Sequence, residues 1–233
     1  MVQKELPKRP RGRPRAYDAD AALARVMDTF WEAGYAATSL DDLSTATGMN
    51  RPSLYAAFGD KQALYMRALE RYRAASREAM KDVLALDQPL RQALRRFYAA
   101  ALTIYLSGEK AARGCFLIGT AVTEAVANPE VRTLFADSIR RLDETFEARI
   151  RFACDRGELK PEANPAALAK LASAVLHTLA IRSRAGEPRE ALEATVEAAL
   201  DLICGSASAR SVEENAPSSR KGKHHPGRAM VRR

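Results

Sequence analysis

The run TSLDDLSTATGMNRPSLYAAFGDK, from Thr38 to Lys61, leaves this chain few choices. It holds two short helical patterns with one glycine turn between them, and the second pattern opens with polar side chains. Thr38 fits an N-cap, with Asp41 three positions on as the reciprocal half of a capping box. A helix is therefore expected from near Ser39. Leu40, Leu43 and Ala46 give it a narrow apolar stripe, and Gly48 supplies the positive-φ position that stops it. Asn50 is a second N-cap, Pro52 is tolerated in a first turn, and Leu54 with Phe58 form an i, i+4 apolar pair facing inward. Arg51, Ser53 and Tyr55 are left facing out.

Upstream, Leu23, Val26, Met27 and Phe30 repeat at i, i+3, i+4, i+7 and mark an amphipathic helix from its N-cap at Asp18 to Gly34. That helix would cover the inward faces of the pair, giving a head of about 45 residues, marginal alone and fused to the larger remainder of the chain. Two short helices crossing steeply over a glycine turn form a helix-turn-helix, whose second helix enters the major groove of DNA.

The same run, preceded by Gly34 and Tyr35, resembles the DNA-binding signature of TetR/AcrR-family transcriptional regulators. Thr38, Ser39, the Asp42 and Leu43 pair, Ala46, Gly48, Ser53, Leu54, Tyr55, Phe58 and Lys61 carry the match, which spans roughly 18 to 70 without a gap. The GRPR run at Gly12 to Arg15, the FW at Phe30 to Trp31 and the RGC at Arg113 to Cys115 resemble a ComR-like subgroup, from which no copper chemistry is carried over. The resemblance implies that Thr38, Ser39 and Lys61 hold phosphates and that Tyr55 adds a backbone contact, as helix N-termini favour. Asn50, Arg51, Pro52 and Ser53 would face base edges, with Arg51 suited to the O6/N7 edge of guanine.

Charge is placed unevenly. The chain carries a formal +8, with six Lys/Arg against one Glu in 1–15 and seven against two in 205–233, so 16–204 is left slightly acidic. Basic ends on a non-basic middle point to polyanion contact through flexible termini. Arg13 and Arg15 lie in a Pro- and Gly-broken arm suited to an adjacent minor groove, or to solvated phosphate attraction alone. The tail with His224 and His225 reads as solvated charge, because two adjacent histidines make a poor metal cage.

The chain divides into four segments: a basic arm 1–15, a helix-turn-helix head 16–62, a helical body 63–204 and a basic tail 205–233. Alanine-rich amphipathic stretches without period-2 alternation predict an all-α fold, a three-helix head fused to a roughly six-helix body for effector binding and dimerisation. The body helices should run from Lys61 to about Leu86, from Leu90 to Ser107, from after Gly114 to near Ala127, from Asn128 and Pro129 as N-cap and N1 to about Gly157, from Asn164 and Pro165 as the same device, and from after Pro188 to near Cys204. Leu168, Leu171, Val175 and Leu179, with Leu192, Val196 and Leu200, line faces that could fill one chain's core. The resemblance implies a four-helix dimer interface in these last two helices, and two half-sites call for a symmetric dimer.

In family members an effector cavity lies among the middle helices. The polar and aromatic residues set there are Tyr98, Tyr105, Cys115, Phe116, Thr120, Phe146 and His177, together with Phe97 and Phe135, each equally able to fill core. Cys115, Cys154 and Cys204 are odd in number and lack CxxC spacing, as in a reducing, cytoplasmic compartment. No run of 18 apolar residues implies a membrane span. No nucleophile elbow, phosphate loop or i, i+4 histidine pair suggests an enzyme, and no metal or cofactor is expected. The expected protein is a homodimeric repressor of a palindromic double-stranded DNA operator, released by an unidentified small molecule. An architectural, nucleoid-type DNA-binding protein without effector control is the alternative.

Overall fold

Helix starts that the sequence marks with Asp or Asn are closed by those side chains in the computed structural model. It describes residues 18–84, 88–108 and 111–205, apart from the side chains of 81 and 82, and no strand occurs among them. The helices are α1 (Ala19–Ala33), α2 (Leu40–Thr47), α3 (Arg51–Phe58), α4 (Lys61–Leu84), α5 (Leu90–Tyr105), α6 (Val122–Glu124), α7 (Pro129–Asp155), α8 (Pro165–Arg184) and α9 (Arg189–Cys204). Asp18 accepts from the amides of Asp20 and Ala21, Asn50 from Ser53, Asn128 from Glu130 and Val131, and Asn164 from Ala167. Each closes donors that no helical carbonyl can reach.

Two local expectations are corrected. The capping box of α2 belongs to Ser39 and Asp42: the Asp42 amide donates to Ser39 Oγ at 3.1 Å, and the Ser39 amide to Asp42 Oδ2 at 2.7 Å. Thr38 does not cap, because its hydroxyl donates backwards to the Gly34 carbonyl at 2.7 Å. The helix expected after Gly114 to near Ala127 is present but irregular: a π-helical turn, Leu117–Ala121, runs into the single turn of α6. Thr120 is buried there, donating to the Phe116 carbonyl and accepting from the Tyr65 hydroxyl, both at 2.8 Å. Single widened turns of this kind occur mostly as bulges within α-helical segments. α5 lacks a local side-chain cap; Glu158, from the turn after α7, accepts its Leu90 amide at 2.6 Å.

Burial divides into two cores. α5, α8 and α9, with Phe146, Ile150 and Ala153 of α7, enclose the body core. Leu179, Leu192, Val196 and Leu200 lie in it, with Leu168 and Val175 packed against it, so the leucine faces expected at a dimer interface are this chain's own interior. The head core holds Val26, Phe30, Leu43, Leu54 and Phe58, but also Leu64, Tyr65 and Leu69 of α4 and Phe116, Ala121, Val131 and Leu134 of the body. The expected boundary at 62 therefore crosses a shared interior. Among the described residues no helix is long and apolar enough to cross a membrane.

Candidate nucleic-acid interface and cavity

α3 can present a polar face because its apolar side is already occupied. Leu54 and Phe58 are buried in the head core, while Asn50, Arg51, Pro52, Ser53 and Tyr55 are exposed, Tyr55 at 46%. Asn50 Oδ1 is committed to the Ser53 amide at 2.9 Å. Arg51 is also occupied: its Nε and an Nη donate to the two Asp41 carboxylate oxygens at 2.8 and 2.5 Å. That hydrogen bonding raises the guanidinium's pKa above its ordinary value, so Arg51 is a fixed cation at the head of α3.

Around this face the expected phosphate residues separate. Ser39 is exposed at the N-terminus of α2. Thr38 is only 1% exposed with its hydroxyl engaged, and its side chain cannot reach a phosphate. Lys61 stands at the first position of α4, its ammonium 4.4 Å from the Tyr35 ring centre. Asp60 accepts the Ala63 amide at 2.8 Å, a cap that the Gly-Asp pair before Lys61 could have signalled. Arg13 and Arg15, and the basic tail beyond Gly205, lie outside the described residues.

Between α4, α7 and α8 lies a cavity of about 470 Å³. Of the expected ligand residues it gathers Tyr105, Cys115 and His177, with Phe135 from the wider aromatic set. Tyr98, Phe116, Thr120 and Phe146 do not line it. Tyr98 donates to the Ala172 carbonyl at 2.9 Å, Phe146 packs edge-on to Phe97, and Phe116 and Thr120 belong to the head core and the π turn. Tyr72, Arg73, Arg77, Met80 and Ile139 take their places. The Tyr72 hydroxyl donates to Cys115 Sγ at 3.3 Å, and burial pushes the Cys115 thiol's pKa up, keeping it protonated. Burial likewise lowers the His177 pKa, against the pull of Asp143.

One short segment touches both the cavity and α1. Cys115 lines the cavity, and two residues earlier Arg113 lies with its guanidinium 3.9 Å from the Trp31 ring centre and bonds Asp28 at 3.0 Å. The Trp31 indole N–H donates to the Arg113 carbonyl at 3.1 Å. Arg184, at the end of α8, donates to the same carbonyl at 3.0 Å and to those of Trp31 and Glu32 at 3.2 and 3.3 Å. Phe116 joins Trp31, Tyr65 and Tyr72 in an aromatic cluster. Gly114 lets the segment through: its φ is +62°, and a Cβ there would stand 2.6 Å from the Ala180 carbonyl oxygen.

The outward sides of α8 and α9 carry small and apolar residues into solvent. Leu171 is 36% exposed, Ile181 57% and Leu202 74%, with Ala174 and Ala198 exposed between them. Only Leu171 of the expected interface residues lies on this side.

Residues 23–68 match the family model described as bacterial regulatory proteins, tetR family, and residues 89–199 match the tetracyclin repressor-like C-terminal domain. The chain is similar to the HTH-type transcriptional repressor ComR of Escherichia coli (strain K12), 33% identical over 191 residues that cover 79% of this chain and 88% of ComR. It is also similar to the uncharacterized HTH-type transcriptional regulator YezE of Bacillus subtilis (strain 168), 29% identical over 151 residues that cover 65% of this chain and 77% of YezE. Among solved structures, a cysteine mutant of the TetR family transcriptional regulator CifR, complexed with 26bp double-strand operator DNA, superimposes with a TM-score of 0.70. It is 34% identical and covers 81% of this chain and 98% of that one.

Proposed function

Since the chain belongs to the TetR family of bacterial regulatory proteins, and so is a DNA-binding transcriptional regulator rather than an enzyme, we propose that it acts as a homodimeric repressor released by a small molecule. The likeness to ComR supports the sign of regulation, and the likeness to CifR, solved on operator DNA, supports duplex binding. Ser39 and Lys61 would hold phosphates, with Tyr55 on the backbone. Arg51 would read a base edge beside Asn50, Pro52 and Ser53. Arg13 and Arg15 would follow the neighbouring minor groove. The dimer would form through the outward sides of α8 and α9, where Leu171, Ile181 and Leu202 stand exposed, with the protein working in the cytoplasm.

One observation carries the switch: a cavity residue, Cys115, is separated only by Gly114 from Arg113, which clasps Trp31 and Asp28 of the head. An occupant displacing Cys115 or Tyr72 would tilt α1 and α4 and alter the spacing of the two recognition helices. Half-sites lie about 34–36 Å apart, so a small tilt weakens binding. Coupling of about 1–3 kcal/mol is enough for regulation. The test is selection of genomic fragments by the full-length protein, footprinting of the best site, and titration of that complex with a metabolite panel. A palindrome protected symmetrically and released by a cavity ligand supports the reading. AT-rich fragments without a palindrome would instead favour an architectural role, which leaves the cavity without purpose.

A further inference from the structure

The walls of the cavity are informative about the chemistry of its occupant. Its lining is largely apolar, with Met80 from α4, Phe135 and Ile139 from α7 and Leu176 from α8. Guanidinium groups gather along the α4 and α7 side. Asp137 accepts from Arg73 at 2.7 Å, from Arg141 at 2.8 Å and from Arg140, which also bonds Glu144 at 2.5 Å. The Arg141 hydrogen bond, seconded by Arg140, brings the Asp137 carboxyl down to about 2, so it stays ionised at any working pH. Three arginines thus share two carboxylates. Arg77, solvent-exposed at the mouth on the same side of the cavity, has no carboxylate partner among the described residues. Across the space, His177 lines the α8 wall with no hydrogen-bond partner among the described residues, and its lowered pKa keeps it neutral near pH 7, a donor or acceptor that adds no charge.

The geometry points to an amphipathic monoanion as the occupant: an apolar body lying between α4, α7 and α8, with a carboxylate-type head against Arg77. This rests on the reading of the cavity as the effector site. Charge complementarity selects the class. A guanidinium grips a carboxylate through paired, charge-assisted bonds, a neutral analogue forfeits them, and a cation meets the surplus positive charge of the arginine cluster. The volume lies within the range of small-molecule sites, roughly 300–1,000 Å³.

The experiment titrates full-length protein with decanoate, decanol and decyltrimethylammonium, each below its micelle threshold. Binding is followed through Trp31, the single tryptophan, whose ring meets those of Tyr72 and Phe116. Decanoate should bind about tenfold more tightly than decanol, with the ammonium weakest, and Arg77→Glu should erase or invert that order. Equal binding of decanol and decanoate, an order unchanged in Arg77→Glu, or no binding of any of the three overturns the anionic assignment. Ile139→Phe and Leu142→Phe, each checked for folding by thermal melting, fill the space without adding a second tryptophan. If they abolish binding that shows no charge preference, the cavity reading survives and the anion does not. If decanoate binds a folded filled variant as well as it binds the native protein, the cavity reading itself fails.

Discussion

Arg51 and Asp41 meet across the turn between α2 and α3 through two parallel hydrogen bonds, so the side chain proposed to read a base edge is held in one orientation. A carboxylate that pre-sets a guanidinium also has to stand beside phosphates when DNA arrives. Removing it frees the cation and deletes a repelled anion, both of which favour DNA of any sequence, while the lost pre-setting costs the operator alone.

Asp41→Ala should accordingly bind DNA severalfold more tightly at low salt, with random duplex gaining more than operator. The ratio of the two affinities should shrink. Fluorescence anisotropy on operator and scrambled duplexes across a salt series measures this, and unchanged values on both would remove any role for the pair. The melting temperature should hardly move, because both side chains stand in water.

Arg51→Ala should reduce operator affinity by roughly five- to a hundredfold at a single base step and relax preference there. Lys61→Ala should weaken all sequences alike and lessen the salt dependence by about one counterion. Equal losses on operator and random DNA for Arg51→Ala would refute base reading.

At Gly114 the obstacle to a larger residue is backbone, the Ala180 carbonyl, and the positive φ adds its own cost. Gly114→Ala should therefore destabilise the fold by about 1–3 kcal/mol, visible in denaturant midpoints. Trp31 fluorescence should change with it, since Arg113 and Phe116 would lose their seats on that ring. A variant as stable as the parent would show that the passage past α8 is looser than its geometry.

His177 links stability to pH. Its folded pKa lies below the ordinary value of about 6.5, so as pH falls the unfolded chain takes up the proton first. The contribution is fully present above about 6.5 and is lost as pH falls from there through the lower folded value. Denaturant midpoints should drop further between about pH 7.5 and about pH 5.5 in the native protein than in His177→Gln. Equal drops would assign the pH response to other groups.

Glutamate at both Ile181 and Leu202 places charge on solvent-facing positions and leaves the body core untouched. Light scattering should then report a monomer with near-native melting, and operator affinity should fall as the second half-site contact is lost. A dimer that survives the double change would put the interface elsewhere.

The features legible in the sequence were those that near neighbours decide. Asp18, Asn50, Asn128 and Asn164 cap helices within three residues of themselves, and each stands where expected. Thr38 and Ser39 both offer a hydroxyl with an Asp three positions on. The choice between them fell to the Gly34 carbonyl, which claims Thr38. The leucines of α8 and α9 showed a stripe but not which side of the molecule it faces, and most proved interior. Tyr72, Arg73 and Arg77 carried no sign of the cavity, because the side of a long helix that borders a space depends on how distant helices lean. Within the π turn, Thr120 is bonded by Tyr65, 55 positions away in the chain, a contact no local pattern announces.

The shared interior of the head bears on how such regulators could be recombined. Phe116, Ala121, Val131 and Leu134 close the wall behind α1 and α4. A swap that joined this DNA reader to an unrelated sensor at residue 62 would open that wall to water. New pairings of operator and signal would have to inherit the aromatic seat along with the reading helix, or rebuild it residue by residue. The DNA-reading head and the helical body are thus heritable here as one piece.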